Sequence, residues 1–206
     1  MLVRFGRRQL LLAALGGLGG CGLLPDVQKP TKLYTLAPKT RYPDDLPTVK
    51  WQLVVELPTA AAGIDSSRIA LTHDPFRLEY FADASWTDTA PGMVQSLLIE
   101  SFQRTGKILA VGAESAGLRP DYVLGTDLRK FEVDYRAPDP IPTAVVIASA
   151  RLVQMPQRRI IGLTTSQKFQ KAPGTNFDDI IVAFNDALGH VLRDIVVFAL
   201  TTPPAA

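Results

Sequence analysis

The residue with the clearest chemical role is Cys21, the only cysteine in the chain. Three arginines lie within the first eight residues, and the segment from Leu10 to Gly20 holds only apolar or small residues. A positive start followed by a short apolar run is typical of a bacterial export signal. Leu18-Gly19-Gly20-Cys21 has the pattern of a lipobox, in which the thiol receives a diacylglyceryl group before cleavage. We therefore expect cleavage after Gly20 and lipidation of Cys21.

Alternatives to this interpretation are a transmembrane helix and a free thiol. The run from Gln9 to Leu24 is shorter than the ~20 residues that a spanning helix needs, and it is rich in glycine. Several acyl chains, palmitate among them, hold a protein firmly where one chain binds only marginally. Gly22 follows the cysteine where an aspartate would favour inner-membrane retention, so we expect the periplasmic face of the outer membrane. Arg7-Arg8 leaves twin-arginine export open beside the general secretory route.

Charge and composition exclude several functional classes. Removal of residues 1–20 takes three of the 22 basic residues and none of the 20 acidic ones, which leaves a net charge near −1. The rest of the chain lacks the clustered lysines and arginines of a nucleic-acid footprint, so nucleic acid is not an expected partner. With Cys21 acylated, no thiol remains for a disulfide, and the fold must depend on packing.

No set of residues has the spacing of a catalytic or metal site. The two histidines, His73 and His190, lie far apart, and a metal site needs three or four convergent ligands. Gly112 to Gly117 resembles a hydrolase nucleophile elbow only superficially, because its first glycine comes one position too early. A phosphate-binding glycine loop is also missing. We predict a non-enzymatic protein with no cofactor, no metal and no catalytic residue.

Aromatic residues near the middle of the chain form the candidate binding set. Tyr80, Phe81 and Trp86 follow Phe76 within eleven residues. Bulky aromatics of this kind dominate cores, but tryptophan and tyrosine are also enriched at interfaces. From sequence alone these residues are either packed core or part of a lipid-facing or partner-facing surface.

Strand and helix patterns predict a single α/β domain. The first helix is predicted to begin at Thr89-Ala90-Pro91 and end at Gly106. The second is predicted over Asn176 to Leu200, with Thr175 or Asn176 as its cap. Prolines after the anchor predict a semi-extended tether, and a turn is expected over residues 72–75. The predicted strands cover 32–36, 50–57, 68–71, 76–81, 107–111, 121–135, 143–155 and 159–169. The predicted organisation is a signal peptide over 1–20, a lipidated N-terminus with the tether and first strand over 21–48, and the remainder of the domain over 49–206.

The mature chain resembles the ABC-type transport auxiliary lipoproteins of the paraquat-inducible protein C kind. The resemblance is carried by the lipobox, Tyr34-Thr35-Leu36, Tyr80 with Trp86 before the first helix, Asp121-Tyr122-Val123-Leu124, and the paired long strands after Phe131-Glu132. It implies a mixed sheet covered by two helices. It also implies partners, namely a mammalian-cell-entry-type periplasmic lipid-binding protein and its ABC transporter.

Two functional classes therefore compete. The first is an outer-membrane accessory lipoprotein that docks the lipid-carrying component of an intermembrane lipid transport system. The second is a lipoprotein that activates or scaffolds a cell-envelope enzyme. Self-association into a homo-oligomer stays open at this stage.

Overall fold

The computed structural model describes residues 30–203, so Cys21 and the predicted export signal lie outside the described residues. This part of the chain folds into nine strands, two α-helices and a 3₁₀ turn at Glu114–Ala116. The elements are β1 Lys32–Tyr34, β2 Val49–Val55, β3 Thr59–Ala60, β4 Arg68–Asp74, β5 Arg77–Trp86, α1 Ala90–Thr105, β6 Ile108–Ala113, β7 Tyr122–Asp134, β8 Thr143–Gln154, β9 Arg159–Lys171 and α2 Phe177–Thr201. The order of strands and helices confirms an α/β domain.

The sheet is built on β7. One edge of β7 pairs antiparallel with β8 along its whole length, and β8 in turn pairs with β9. The other edge of β7 pairs in parallel with three strands in succession: β2, β3 and β4. Beyond β2 the sheet continues with β6, and beyond β4 it continues with β5 and then β1. The sheet is therefore mixed, as the resemblance implied. The register places the β8–β9 turn beside the start of β7, here named the distal end, and the β4–β5 turn beyond the last residue of β7, here named the proximal end.

Three aromatic rings form the centre of the core beneath the helices. Trp86 of β5, Phe131 of β7 and Phe184 of α2 are each at most 1% exposed. Their ring centroids lie 5.0 to 5.4 Å apart, with tilted or edge-on planes that suit aromatic contact. The three side chains therefore join the sheet to the longer helix.

The helix ends follow the predicted chemistry at α1 and only partly at α2. The Thr89 hydroxyl accepts a hydrogen bond from the Gly92 N–H at 3.2 Å, and Gly106 ends the helix at φ 62°, where glycine is favoured. Asn176 is the extended residue before α2, but its side chain makes no capping hydrogen bond, so Asp178 and Asp179 supply the favourable charge there. Neither helix between residues 30 and 203 is long and apolar enough to cross a membrane.

Part of the predicted tether packs against the domain instead of extending from it. Leu36 and Leu46 are buried, and backbone N–H groups of this segment donate to both helices. The Ala37 N–H donates to Asn185 Oδ1 of α2 at 2.8 Å, and the Lys39 N–H donates to the buried Ser101 Oγ of α1 at 2.9 Å. Residues 36–46 thus form a strap across the helices.

Strand pairing moves several predicted boundaries. The turn expected over 72–75 is wrong, because β4 continues to Asp74 and the turn is formed by Pro75 and Phe76. β5 continues to Trp86, since it pairs with both β4 and β1. β3 lies between the predicted strands 50–57 and 68–71, where no strand was predicted, and pairs with β7. These extensions depend on partners distant in sequence, which a local pattern does not contain.

Substitution of Phe184 tests this core. Phe184→Ala removes a fully buried ring between Trp86 and Phe131, so we expect the free energy of unfolding to fall by about 3–5 kcal/mol. Val182 lies on the same helix but is half exposed, and Val182→Ala should change stability by no more than about 0.5 kcal/mol. Denaturant unfolding of both variants measures these changes in stability. Equal unfolding midpoints for the two variants would contradict the packing of Phe184 between Trp86 and Phe131.

Candidate interaction surface

The two faces of the sheet have different surroundings. α1 packs against β6 and β2, and α2 packs against β8 and β9, all on one face. Along β8, Ala148, Ala150 and Leu152 belong to the core under the helices. Because side chains alternate along a strand, Ser149, Arg151 and Val153 point to the other side. We name that side the open face, and neither helix of the described chain covers it.

A groove of about 460 Å³ lies on the open face at the distal end. Its apolar surface includes Val54, Val123, Val153 and Ile160, which belong to four neighbouring strands. Charged side chains of Glu56, Glu114, Arg151 and Arg158 also line it. An apolar surface with a few charged groups is the usual composition of a binding site.

A second hollow of about 430 Å³ continues the groove toward the middle of the sheet. It is lined by Asp127, Arg129, Ser149, Leu163 and Thr165 among others. Arg151 lines both this hollow and the groove at the distal end. Asp127 and Arg129 form an exposed ion pair at 3.2 Å. The two hollows together are named here the open-face groove, with Arg151 at their junction.

Arg151 is positioned by an ion pair and by a glycine. Its Nη2 atom lies 3.3 Å from Glu56 Oε2, and the guanidinium lies over Gly125, its cross-strand neighbour. A Cβ atom at position 125 would come within 2.6 Å of Arg151 Cζ. Gly125 therefore makes room for the arginine, whose planar group can pair with carboxylate or phosphate oxygens.

The last strand contributes exposed apolar side chains to the same face. Ile160, Leu163 and Phe169 of β9 are 54%, 73% and 53% exposed. Exposed apolar side chains grouped on one face mark an interaction site. The arrangement can bind an apolar or amphipathic partner.

Sequence reasoning missed the open-face groove, although two signals were present. A glycine within β7 and an arginine within the otherwise apolar β8 both interrupt strongly strand-forming segments. An isolated glycine in a strand often marks a close approach by another group. The pattern did not say which face of β8 and β9 would remain uncovered, because that depends on where the helices pack.

The structure separates the three residues predicted to bind. Trp86 is 1% exposed and packs in the core, which agrees with the packed-core alternative and not with the surface alternative for this residue. Phe81 is half-buried, with its ring edge-on to Phe177 of α2 at 4.8 Å. Tyr80 donates its hydroxyl to the Gly63 carbonyl at 3.0 Å, and Arg68 lies 3.7 Å above its ring. These three residues do not form one site.

Both histidines make local pairs. His73 Nδ1 lies 3.1 Å from Glu79 Oε2, and His190 Nε2 lies 3.2 Å from Asp194 Oδ2 one helical turn away. Asp194 also accepts a hydrogen bond from the buried Ser166 hydroxyl at 2.7 Å. Among residues 30–203, no three histidine, cysteine or acidic side chains converge in a way that would hold a metal ion.

Shifted pKa values occur at structural contacts away from the open-face groove. Burial raises the pKa of Tyr42, whose hydroxyl donates to the Ser101 carbonyl, to about 12. The hydrogen bond from Arg136 lowers the pKa of Asp134, and that from Lys171 lowers the pKa of Asp139. The contacts that cause these shifts favour the ionised form of both aspartates and the neutral form of the Tyr42 phenol.

Comparison with known proteins places this geometry in a family. The profile of the ABC-type transport auxiliary lipoprotein component matches residues 33–196. The crystal structure of protein XCC0632 from Xanthomonas campestris has a TM-score of 0.79 and 31% identity, over 84% of this chain and 96% of that one. A second crystal structure, of an uncharacterised protein, shares the fold at a TM-score of 0.64 and 12% identity, over 82% and 97% of the two chains.

A curated relative extends beyond the matched region. The uncharacterised protein bll6063 of Bradyrhizobium diazoefficiens is 27% identical over 154 residues, which cover 72% of this chain but only 39% of that protein. The family match nevertheless covers most of the chain, and the two-helix sheet agrees with it. The chain belongs to the ABC-type transport auxiliary lipoprotein family.

Proposed function

We propose that this chain is a non-catalytic lipoprotein of the outer membrane that docks the lipid-carrying component of an intermembrane lipid transport system. The partner would be a mammalian-cell-entry-type periplasmic protein served by an ABC transporter. The observation that carries the proposal is the open-face groove in a member of a transport auxiliary family. The docked partner would cover Ile160 and Leu163, and its acidic groups would meet Arg151.

The chemistry of the open-face groove supports binding rather than turnover. Its charged groups form ion pairs at exposed or half-exposed positions, as Arg151 does with Glu56 and Arg129 with Asp127. Exposed pairs of this kind contribute little to folding, so their carboxylates and guanidinium groups remain available to exchange partners. Surrounding apolar side chains would exclude water from such contacts and strengthen them.

The anchor at Cys21 is the second part of the proposal. Intact-mass measurement of the membrane-extracted wild type should show a chain that begins at residue 21 and carries lipid on Cys21. Cys21→Ala should remove the lipid and leave an uncleaved precursor, while the domain keeps its unfolding midpoint, because the described core makes no use of this thiol. An unmodified Cys21, or cleavage elsewhere, would contradict the anchor.

Leu163→Glu tests the docking surface. A carboxylate in a docked apolar contact would be desolvated, so we expect affinity for the lipid-carrying protein of the same genome to fall at least about tenfold. Leu109→Glu is the matched control. Leu109 is 65% exposed, close to the 73% of Leu163. It shares a strand face with Val111, which packs against the core, so Leu109 lies on the side opposite the open face.

Biolayer interferometry with the full acylated chain in detergent or nanodiscs would measure both variants. The proposal requires a loss for Leu163→Glu and wild-type affinity for Leu109→Glu. Equal affinities in all three proteins would exclude the groove as the docking site. Capture of a cell-envelope synthase in place of the lipid carrier would favour the activator function instead.

A further inference from the structure

Four segments of the chain meet at the proximal end of the domain. β4 runs parallel to β7, with Thr72 opposite Asp134, so the β4–β5 turn and the β7–β8 loop project from the same end. The β9–α2 connection lies there too, because Lys171 is opposite Thr143 at the start of β8. β1 runs parallel to β5, and β5 begins at this turn. β1 therefore runs away from the proximal end, and its first residue, Lys32, is the one nearest to that end.

This direction matters because the predicted lipid anchor precedes β1. Eleven peptide steps separate Cys21 from Lys32, which reach at most about 36–40 Å when extended. Lys32 is paired with Ala84, seven residues from the turn end of β5, which is at most about 23 Å along the strand because the β4–β5 pairing is irregular there. The connection is therefore long enough to let the proximal end touch the bilayer that holds the anchor.

Phe76 projects from the proximal end with 96% of its surface exposed. The turn that carries it is held in one shape by side chains. The buried Thr72 hydroxyl lies 2.5 Å from the Asp74 carbonyl and 3.0 Å from the Arg77 carbonyl, and Asp74 Oδ1 accepts the Phe76 N–H at 2.8 Å. A hydrogen-bonded turn therefore presents an aromatic ring to the surroundings.

The neighbouring β7–β8 loop makes this end compatible with a membrane surface. The Tyr135 N–H donates to the Thr72 carbonyl at 2.9 Å, and the rings of His73 and Tyr135 stack at 4.9 Å, so the loop and the turn are joined. The exposed loop residues Ala137, Pro138 and Pro140 are uncharged. The loop's charged residues are paired, Arg136 with Asp134 and Asp139 with Lys171.

We propose that the β4–β5 turn inserts Phe76 into the interfacial region of the phospholipid bilayer that holds the acylated Cys21. Aromatic side chains favour this region, and burial of the ring adds to the hold of the acyl chains. The inference rests on the lipid anchor of the proposed function. It orients the domain, because the open-face groove then lies toward the distal end, away from the bilayer and on the side of a periplasmic partner.

Tryptophan fluorescence in vesicles tests the contact. Phe76→Trp is placed in the full acylated chain, which is reconstituted in phosphatidylethanolamine and phosphatidylglycerol vesicles with or without a phosphatidylcholine brominated near the glycerol end of its chains. We expect the added emission to shift to shorter wavelength and to be quenched by bromine. The wild type gives the background emission of the two native tryptophans. Trp86 is buried, and Trp51 lies at the distal end, two residues before Leu53, which pairs with the first residue of β7.

Leu109→Trp is the matched control. Leu109 is 65% exposed and lies at the distal end, because β6 begins beside the start of β2. Its added emission should remain unquenched. An acylated chain whose Phe76→Trp emission is unquenched overturns this inference alone. A blue shift without bromine quenching would place residue 76 in a protein contact and overturn it too. Intact mass that shows an unmodified Cys21 overturns the anchor and this inference together.

Discussion

The structure depends on β7, a central strand with one face buried under the helices and the other face uncovered by them. This strand pairs with β8 along one edge and with β2, β3 and β4 along the other, so most of the sheet is attached to it. On one side it buries Leu124, Leu128 and Phe131 under the helices. Gly125, Asp127 and Lys130 lie on the opposite side of the strand, on the open face. A helix layer on one face gives the fold its stability and leaves the second face available.

One-sided coverage leaves one face of the sheet free to bind a partner. The core trio of Trp86, Phe131 and Phe184 fixes the sheet against α2, and that rigidity holds the strands whose outer residues line the open-face groove. Binding surfaces on rigid strands lose little conformational entropy when a partner docks. The strap over residues 36–46 covers the helices instead, which adds to the contrast between the two sides.

Sequence predicted the layout of the fold better than its surface. Helical spacing and caps located both helices, and alternation located the long strands, because these signals are local. The extension of β5 to Trp86 and the short β3 come from pairing with strands far along the chain, so no window of the sequence contains them. The aromatic set divided for the same reason. Trp86 belongs to the core because α2 packs on it. The groove around Arg151 is open because no described helix packs on that face.

Site-specific photo-crosslinking in living cells tests whether the lipid-carrying protein docks on the open face. A photoreactive phenylalanine analogue at Leu163 samples the open face, and the same analogue at Val182, 50% exposed on α2, samples the helix side. We expect a crosslink between position 163 and the mammalian-cell-entry-type protein, with none from position 182. A crosslink to that protein from position 182 and none from position 163 would contradict docking on the open face.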